Sequence, residues 1–348
     1  MLTKESYSLM NNLTIKDPYI DSQPLKKLFD TLEKNEFEYD EPVIQLKNGK
    51  FPVYSFISPK LQIKIKKYKY INEIKWSVQS RYSLDCTLNV YTLTKKRINQ
   101  GTLNLLIYAI SFLVSLSNAD RKLNIHIVLL PDKKLFHKKF TPDEVNGGLS
   151  SYNSDGGEVF VWRKEECIKV LFHELIHALS FSDIEDTNEI IHHYNQKFNL
   201  SCTKMNLNET YTEIWAKLLN CYFCTKIMLK KKPFQYFCHL LSVEKEFSSV
   251  QAWKIINYLQ DEYKKKKVKK NLNHSTNVVA YHLATNEILN HLNKFLNLRF
   301  QDKNIFYLTD NMKFNTMMQG FRKLSLSETK KTTKLYKTFR MTAVELKL

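Results

Sequence analysis

Glycine and proline are scarce in this 348-residue chain, with 7 and 8 copies. That scarcity excludes collagen-like and proline-rich linker architectures and leaves few positions able to break a helix. No internal repeat is visible, which excludes a solenoid. The opening residues MLTKESYSLMNNLTIKD hold no apolar stretch of signal-peptide length, so an intracellular location is expected. Long apolar runs are missing too. The longest, Thr102 to Ala119, is broken by Asn104 and serines, and reads as a core helix, so no membrane span is expected. Six cysteines fall at irregular spacings, and Cys221 and Cys224 lie inside an apolar helical run. Reduced, buried thiols are the expectation.

Acidic residues are outnumbered, 35 against 53 Lys and Arg, for a formal charge of +18. Such a surplus attracts polyanions. It is densest at Lys264 to Lys270, a run with no arginine to read base edges, which fits either a polyanion contact or a solvated helix end.

Hydrophobic residues make up 43% of the chain, enough to bury a large core. Up to residue 80, a helical pattern at SQPLKKLFDTLEKN is joined by the alternating LQIKIKKYKYI, which predicts an exposed strand or hairpin. LDCTLNVYTL and NIHIVLLP predict strands on either side of the Thr102–Ala119 helix. Two further strand-like runs, Val145–Tyr152 and Glu158–Arg163, flank a Ser-Asp-Gly-Gly turn in a stretch holding four of the seven glycines. Helical patterns dominate from Lys164 onward. This order predicts an α+β fold, with a sheet in the first half and helices in the second. Three segments are expected: an N-terminal α/β region at 1–80 that caps the next or recruits substrate, a catalytic domain at 81–300, and a tail at 301–348, ordered or free. The segment EVFVWR is expected at a sheet edge, where a strand can pair with an extended peptide.

Between Glu165 and Phe181 the sequence reads as a helix with an apolar face. His173 and His177 lie one turn apart on it and point the same way. Two neutral imidazoles at that spacing can reach one tetrahedral Zn²⁺, and Glu174, displaced by about 100°, flanks the water the metal activates. A third protein ligand decides between a metal site and an ordinary helix. Asp183 is one candidate, in a pattern that normally has glycine where Ser180 stands. Downstream, MNLNETYTEIWAKLLN places Glu209 and Glu213 one helical turn apart on one face.

This second helix resembles the glutamate helix of gluzincin metallopeptidases. The resemblance implies Glu209 as third zinc ligand and Glu213 as the acid that steadies a ligating histidine, with their reverse as the competitor. It also implies a Tyr or His further along that stabilises the oxyanion; Tyr281 is the first candidate, ahead of His274 and His282. Beyond that, VNGG, VFVWRKEECIKVLFHELIHAL, ETYTEIWA and STNVVAYHLATNEIL together resemble an uncharacterised metallopeptidase family of large DNA viruses, over roughly residues 120–290. The resemblance implies a zincin-like fold with an edge strand beside the HExxH helix. It also implies a zinc peptidase with Glu174 as general base but no known substrate; a viral or host protein substrate is expected, with the enzyme in a virion or the host cytoplasm. From strand position alone, Gly147, Gly148, Val159, Phe160 and Val161 are expected to bind substrate backbone by β-addition. The rival expectation is a catalytically inactive basic virion protein that binds nucleic acid or capsid.

Overall fold

The computed structural model describes residues 1–348 apart from 20–21, 53–56, 121, 154–155, 229, 271–275 and 322–323. The protein is a mixed α+β molecule with a seven-stranded mixed sheet and a helical C-terminal part. It divides into two compact units, residues 33–133, 146–181 and 348 in one and residues 1–32, 134–145 and 182–347 in the other.

The first unit carries the sheet. Its strands are β1 (Glu38–Tyr39), β2 (Val43–Asn48), β3 (Tyr70–Gln79), β4 (Ser83–Thr92), β5 (Leu123–Leu130), β6 (Gly148–Asn153) and β7 (Gly156–Arg163), in the order β1-β3-β4-β5-β7-β6, with β2 also paired to β3. Residue 80, the expected end of an N-terminal region, lies in the turn of the β3–β4 hairpin. β4, β5 and β7 run parallel, whereas β6 returns antiparallel to β7. Parallel strands need covered faces, and β5 and β7 accordingly read as almost unbroken apolar runs.

Helices α4 (Gln100–Ser115) and α6 (Cys167–Ala178) cover one face. Asn99 caps α4 by accepting the Thr102 N–H, and Trp76 on β3 donates its indole N–H to Ser111 on α4 at 2.9 Å. The other face is filled by Phe51, Ile57, Ile65, Tyr91, Val128, Leu130, Phe160 and Trp162. Ile65 comes from α3 (Pro59–Ile65). This helix corrects the expected strand at LQIKIKKYKYI: Ser58 caps the first turn and Pro59 stands at its start, so the alternating letters begin as a helix and extend only from Tyr70.

The second unit is helical. Its early helices are α1 (Lys4–Met10), α2 (Gln23–Glu33, its first ten residues in this unit), α5 (Pro142–Val145) and α7 (Asn188–Phe198). Its centre is the pair α8 (Leu207–Met228) and α9 (Pro233–Lys266). α8 is buried nearly all round, through apolar Ile214, Trp215, Leu218, Leu219 and Phe223 and also through Glu213, Lys217 and Asn220. A π-helix, Val279–Ala284, runs directly into α10 (Thr285–Asn290), and both pack on α8 and α9. α11 (Leu292–Arg299), α12 (Asn311–Gln319) and α13 (Lys334–Lys337) complete it.

The tail is ordered. Phe339 to Val344 is buried, and Leu346 bridges to Leu2. Glu244 on α9 accepts the amide N–H groups of Ala343 at 2.8 Å and Val344 at 3.0 Å and the Thr342 hydroxyl, while Lys254 donates to carbonyls of residues 335 and 338.

All six cysteines are buried and none forms a disulfide. Burial pushes the Cys221 thiol well above its ordinary pKa, with Glu244 adding to the shift. Among the described residues, no helix is long and apolar enough to cross a membrane.

Candidate metal centre

The HExxH stretch forms α6, as its periodicity predicts. His173 and His177 stand on one side of that helix, ring centroids 5.0 Å apart and rings steeply inclined at 74°. His173 and Glu174 are buried and His177 is half-buried. The helix ends in a left-handed turn at Ser180, φ 54°, with the Phe181 N–H returning to the Ile176 carbonyl at 3.2 Å. Glycine ordinarily occupies such a position. Serine meets the geometry here, and the chain leaves with Asp183 exposed.

Glu174 Oε2 accepts a hydrogen bond from Ser150 Oγ at 3.1 Å. Ser150 lies on β6, which pairs with β7 on one side; among the described residues no other strand pairs with it. β6 is therefore the edge strand beside α6, and the expectation that placed EVFVWR at the edge is corrected. β7 is internal, hydrogen-bonded by β5 and β6, and Val159, Phe160 and Val161 are fully buried. Their apolar run reflects burial on both faces of the sheet, leaving no edge there for a peptide. Of the residues expected to meet substrate backbone, Gly148 opens the edge strand and Gly147 precedes it, its carbonyl accepting the Trp162 N–H at 3.0 Å.

Close approach explains Gly148. A Cβ there would stand 2.7 Å from Glu174 Cγ, 2.7 Å from Val170 Cγ1 and 2.8 Å from the Phe160 carbonyl oxygen. Only glycine lets the edge strand run this close to the Glu174 side chain.

Glu209 occupies the first turn of α8 and is half-buried. Tyr281, on the π-helix, donates its hydroxyl to Glu209 Oε2 at 3.1 Å. π-turns of this kind recur at functional sites because the extra residue re-aims one side chain. Glu213, one turn along α8, is fully buried, with Lys217 Nζ 3.7 Å from its Oε1. His282 packs against Phe339, ring centroids 4.8 Å apart. Burial, reinforced by nearby Lys217, holds its pKa well below the usual histidine range. His274 lies outside the described residues.

Among the described residues, one group of His, Cys, Asp and Glu side chains is arranged to hold a metal ion. It consists of His173, His177 and Glu209, whose ligand atoms all lie within 4.8 Å of one another. Asp183 and Glu213 are not members of it. Two imidazole nitrogens and one carboxylate oxygen form a donor set that suits Zn²⁺ and leaves a fourth position open for chemistry. The residues present fit the metal.

Three contributors escaped the sequence reading. Ser150 holds Glu174 through a hydroxyl in an unremarkable Ser-Ser pair. Asp186 accepts the backbone N–H groups of Met205, Asn206 and Leu207 at 2.6, 2.8 and 3.0 Å, fixing the start of α8. Asn208 Oδ1 accepts from Ser182 Oγ at 2.7 Å and Ile184 N at 3.3 Å, lacing the same loop to the same helix. None forms a motif, because each acts across the chain through a single hydrogen-bonding group.

The lysine run Lys264–Lys269 is exposed at the C-terminal end of α9, where cations complement the helix dipole. Lys266 and Lys270 both approach Glu262, at 3.5 and 3.4 Å.

Comparison with protein-family models, with curated proteins and with solved structures finds no match. The resemblance to gluzincins rests on the motif residues alone.

Proposed function

We propose that the chain is a zinc-dependent peptidase with a zincin-like catalytic arrangement, acting as an endopeptidase on a protein substrate, viral or host. The observation that carries this reading is that the ligand atoms of His173, His177 and Glu209 all lie within 4.8 Å of one another; Glu174, next to His173 in the motif, is the candidate base.

A zinc ion bound by these three side chains would supply a Lewis acid for the scissile carbonyl and lower the pKa of a water molecule. Glu174 takes the proton of the attacking water and delivers it to the leaving amine. Ser150 Oγ donates to Oε2 of that carboxylate and so helps to orient it. Edge strand β6 offers its outer backbone groups to an extended peptide, which would lie against the strand that also carries Ser150. Tyr281 holds Glu209, and the same hydroxyl is the candidate to serve a developing oxyanion.

Metal content tests the reading. Purified wild-type protein is expected to carry about one zinc per chain. Glu209→Ala should lose it, Glu213→Ala should keep it at lower affinity, and Glu174→Gln should keep it while losing hydrolysis of unfolded casein. A wild-type chain that takes up no zinc on reconstitution overturns the proposal. The basic-scaffold reading would then lead, and steeply salt-dependent binding of a polyanion at Lys264–Lys270 would be its signature.

A further inference from the structure

The half of the candidate centre contributed by α8 is enclosed by a closed circuit of hydrogen bonds that the catalytic reading does not require. Asp186 accepts three consecutive backbone N–H groups, two on Oδ2 and one on Oδ1. The middle one belongs to Asn206, a left-handed residue at φ 57° whose carbonyl accepts the Glu209 N–H at 3.0 Å. The Asn206 side-chain amide donates to Asn277 Oδ1. Asn277 Nδ2 in turn lies 3.5 Å from the Tyr281 hydroxyl, and that hydroxyl donates to Glu209 Oε2. The circuit starts at the backbone entering α8 and returns to the carboxylate in the first turn of the same helix.

A carboxylate bound to several backbone amides makes strong, charge-assisted bonds with fixed direction. An ordinary helix N-cap satisfies one such amide from the residue just before the helix, as Thr187 does for α7. Asp186 instead reaches over some twenty residues of chain and takes three amides, including that of a residue held in a conformation L side chains rarely adopt. The bonds fix not only where α8 begins but how its first turn is rotated. The Asn206–Asn277–Tyr281 arm then sets the direction of the Glu209 carboxylate.

We propose that Asp186 is the positioning residue for Glu209, acting through the backbone of α8 and through Asn206, Asn277 and Tyr281. The inference deepens the metallopeptidase reading and rests on Glu209 being a zinc ligand. Groups that orient a ligand in this way typically change metal affinity by about 10- to 100-fold when removed.

The test is zinc affinity of the full chain, by competition with a chromophoric chelator, read beside the melting temperature of the metal-free protein. Asp186→Ala is expected to weaken zinc binding on the order of 10- to 100-fold. Asn277→Ala, which leaves the Asp186 clamp in place, should weaken it by about 10-fold and decides the matter if Asp186→Ala does not fold. Thr187→Val removes the neighbouring α7 cap and serves as the structural comparison: a lower melting temperature with zinc affinity unchanged. If Asp186→Ala and Asn277→Ala behave like Thr187→Val, Asp186 is a helix anchor and the inference is overturned while the metal reading stands. If the wild-type chain binds no zinc, both are overturned together.

Discussion

Ser150 Oγ and Glu174 Oε2 are 3.1 Å apart, which ties the edge strand of the sheet to the residue proposed as general base. Ser150→Ala removes this donor and with it one of the bonds that orient the carboxylate. Hydrolysis of unfolded casein is expected to fall by about 5- to 10-fold, the equivalent of one ordinary hydrogen bond of about 1 kcal/mol, with zinc content unchanged. Ser150→Thr keeps the hydroxyl and should restore most of the rate. Equal rates for the wild type and Ser150→Ala would show that Glu174 is oriented by other contacts.

Gly148→Ala probes the same junction by volume. The new methyl group would meet Glu174 Cγ and Val170 Cγ1, which can yield, and the Phe160 carbonyl, which cannot without moving β7. Overpacking at a site of this kind costs about 1–3 kcal/mol. Urea unfolding should show that loss, and the displaced Glu174 should lower hydrolysis beyond the effect of Ser150→Ala. An unchanged urea midpoint would mean that β6 has room to shift outward.

Much of this arrangement was readable from residue order. The apolar periodicity from Glu165 to Phe181 announced α6, and the i, i+4 spacing of His173 and His177 fixed that they share a side, because helix geometry alone determines it. Glu209 was named through the resemblance of its helix to that of gluzincins, since helix geometry alone says only that Glu209 and Glu213 share a face. The edge strand was not legible. EVFVWR and the Leu-Ser-Ser-Tyr run are both short, and pairing partners follow from sheet order, a property of the whole chain. The greater apolarity of Val159–Val161 pointed the correct way, since a strand buried on both faces needs an unbroken apolar run while an edge strand tolerates serines. The LQIKIKKYKYI stretch misled for a local reason: alternation over so few residues cannot outweigh a Ser-Pro helix start immediately before it. The ordering of the C-terminal tail was invisible because its partners, Glu244 and Lys254, lie some 80 to 100 residues away.

His126 makes stability depend on pH in a defined direction. It lies on β5, with Tyr91 OH 2.9 Å from Nδ1 and its ring stacked on Phe160 at 4.9 Å. Burial, aided by the charge of Lys47, lowers its pKa to about 4. The folded protein therefore holds His126 neutral where the unfolded chain, with a pKa near 6.5, would already be protonated. The stabilisation is fully present above about pH 6.5 and is lost as pH falls from there toward 4, at up to about 1.4 kcal/mol per pH unit. Urea midpoints measured from pH 7 to pH 4.5 should show this slope in the wild type and a shallower one in His126→Gln. Identical slopes would assign the acid sensitivity to other groups.

Glu244 joins the C-terminal tail to the helix that carries the candidate ligand. Its Oε1 holds Thr342, Ala343 and Val344, and its Oε2 lies 3.2 Å from Lys217 Nζ, which also faces Glu213. All three charged side chains are almost completely buried. Glu244→Ala strips the tail of its acceptor and takes the nearer carboxylate from Lys217, so a buried ion pair is broken and the Ala343 N–H loses its acceptor. Breaking a buried pair in this way costs about 3–5 kcal/mol. Glu244→Gln, which keeps an oxygen for the tail amides and loses the charge, should cost less. Limited proteolysis separates the two contributions. In Glu244→Ala the segment beyond residue 338 should be cut early, whereas in Glu244→Gln it should stay protected although urea unfolding comes earlier than in the wild type. Protection of the tail in both variants would mean that the Lys254 bonds and the apolar packing of Phe339 and Leu346 hold it unaided.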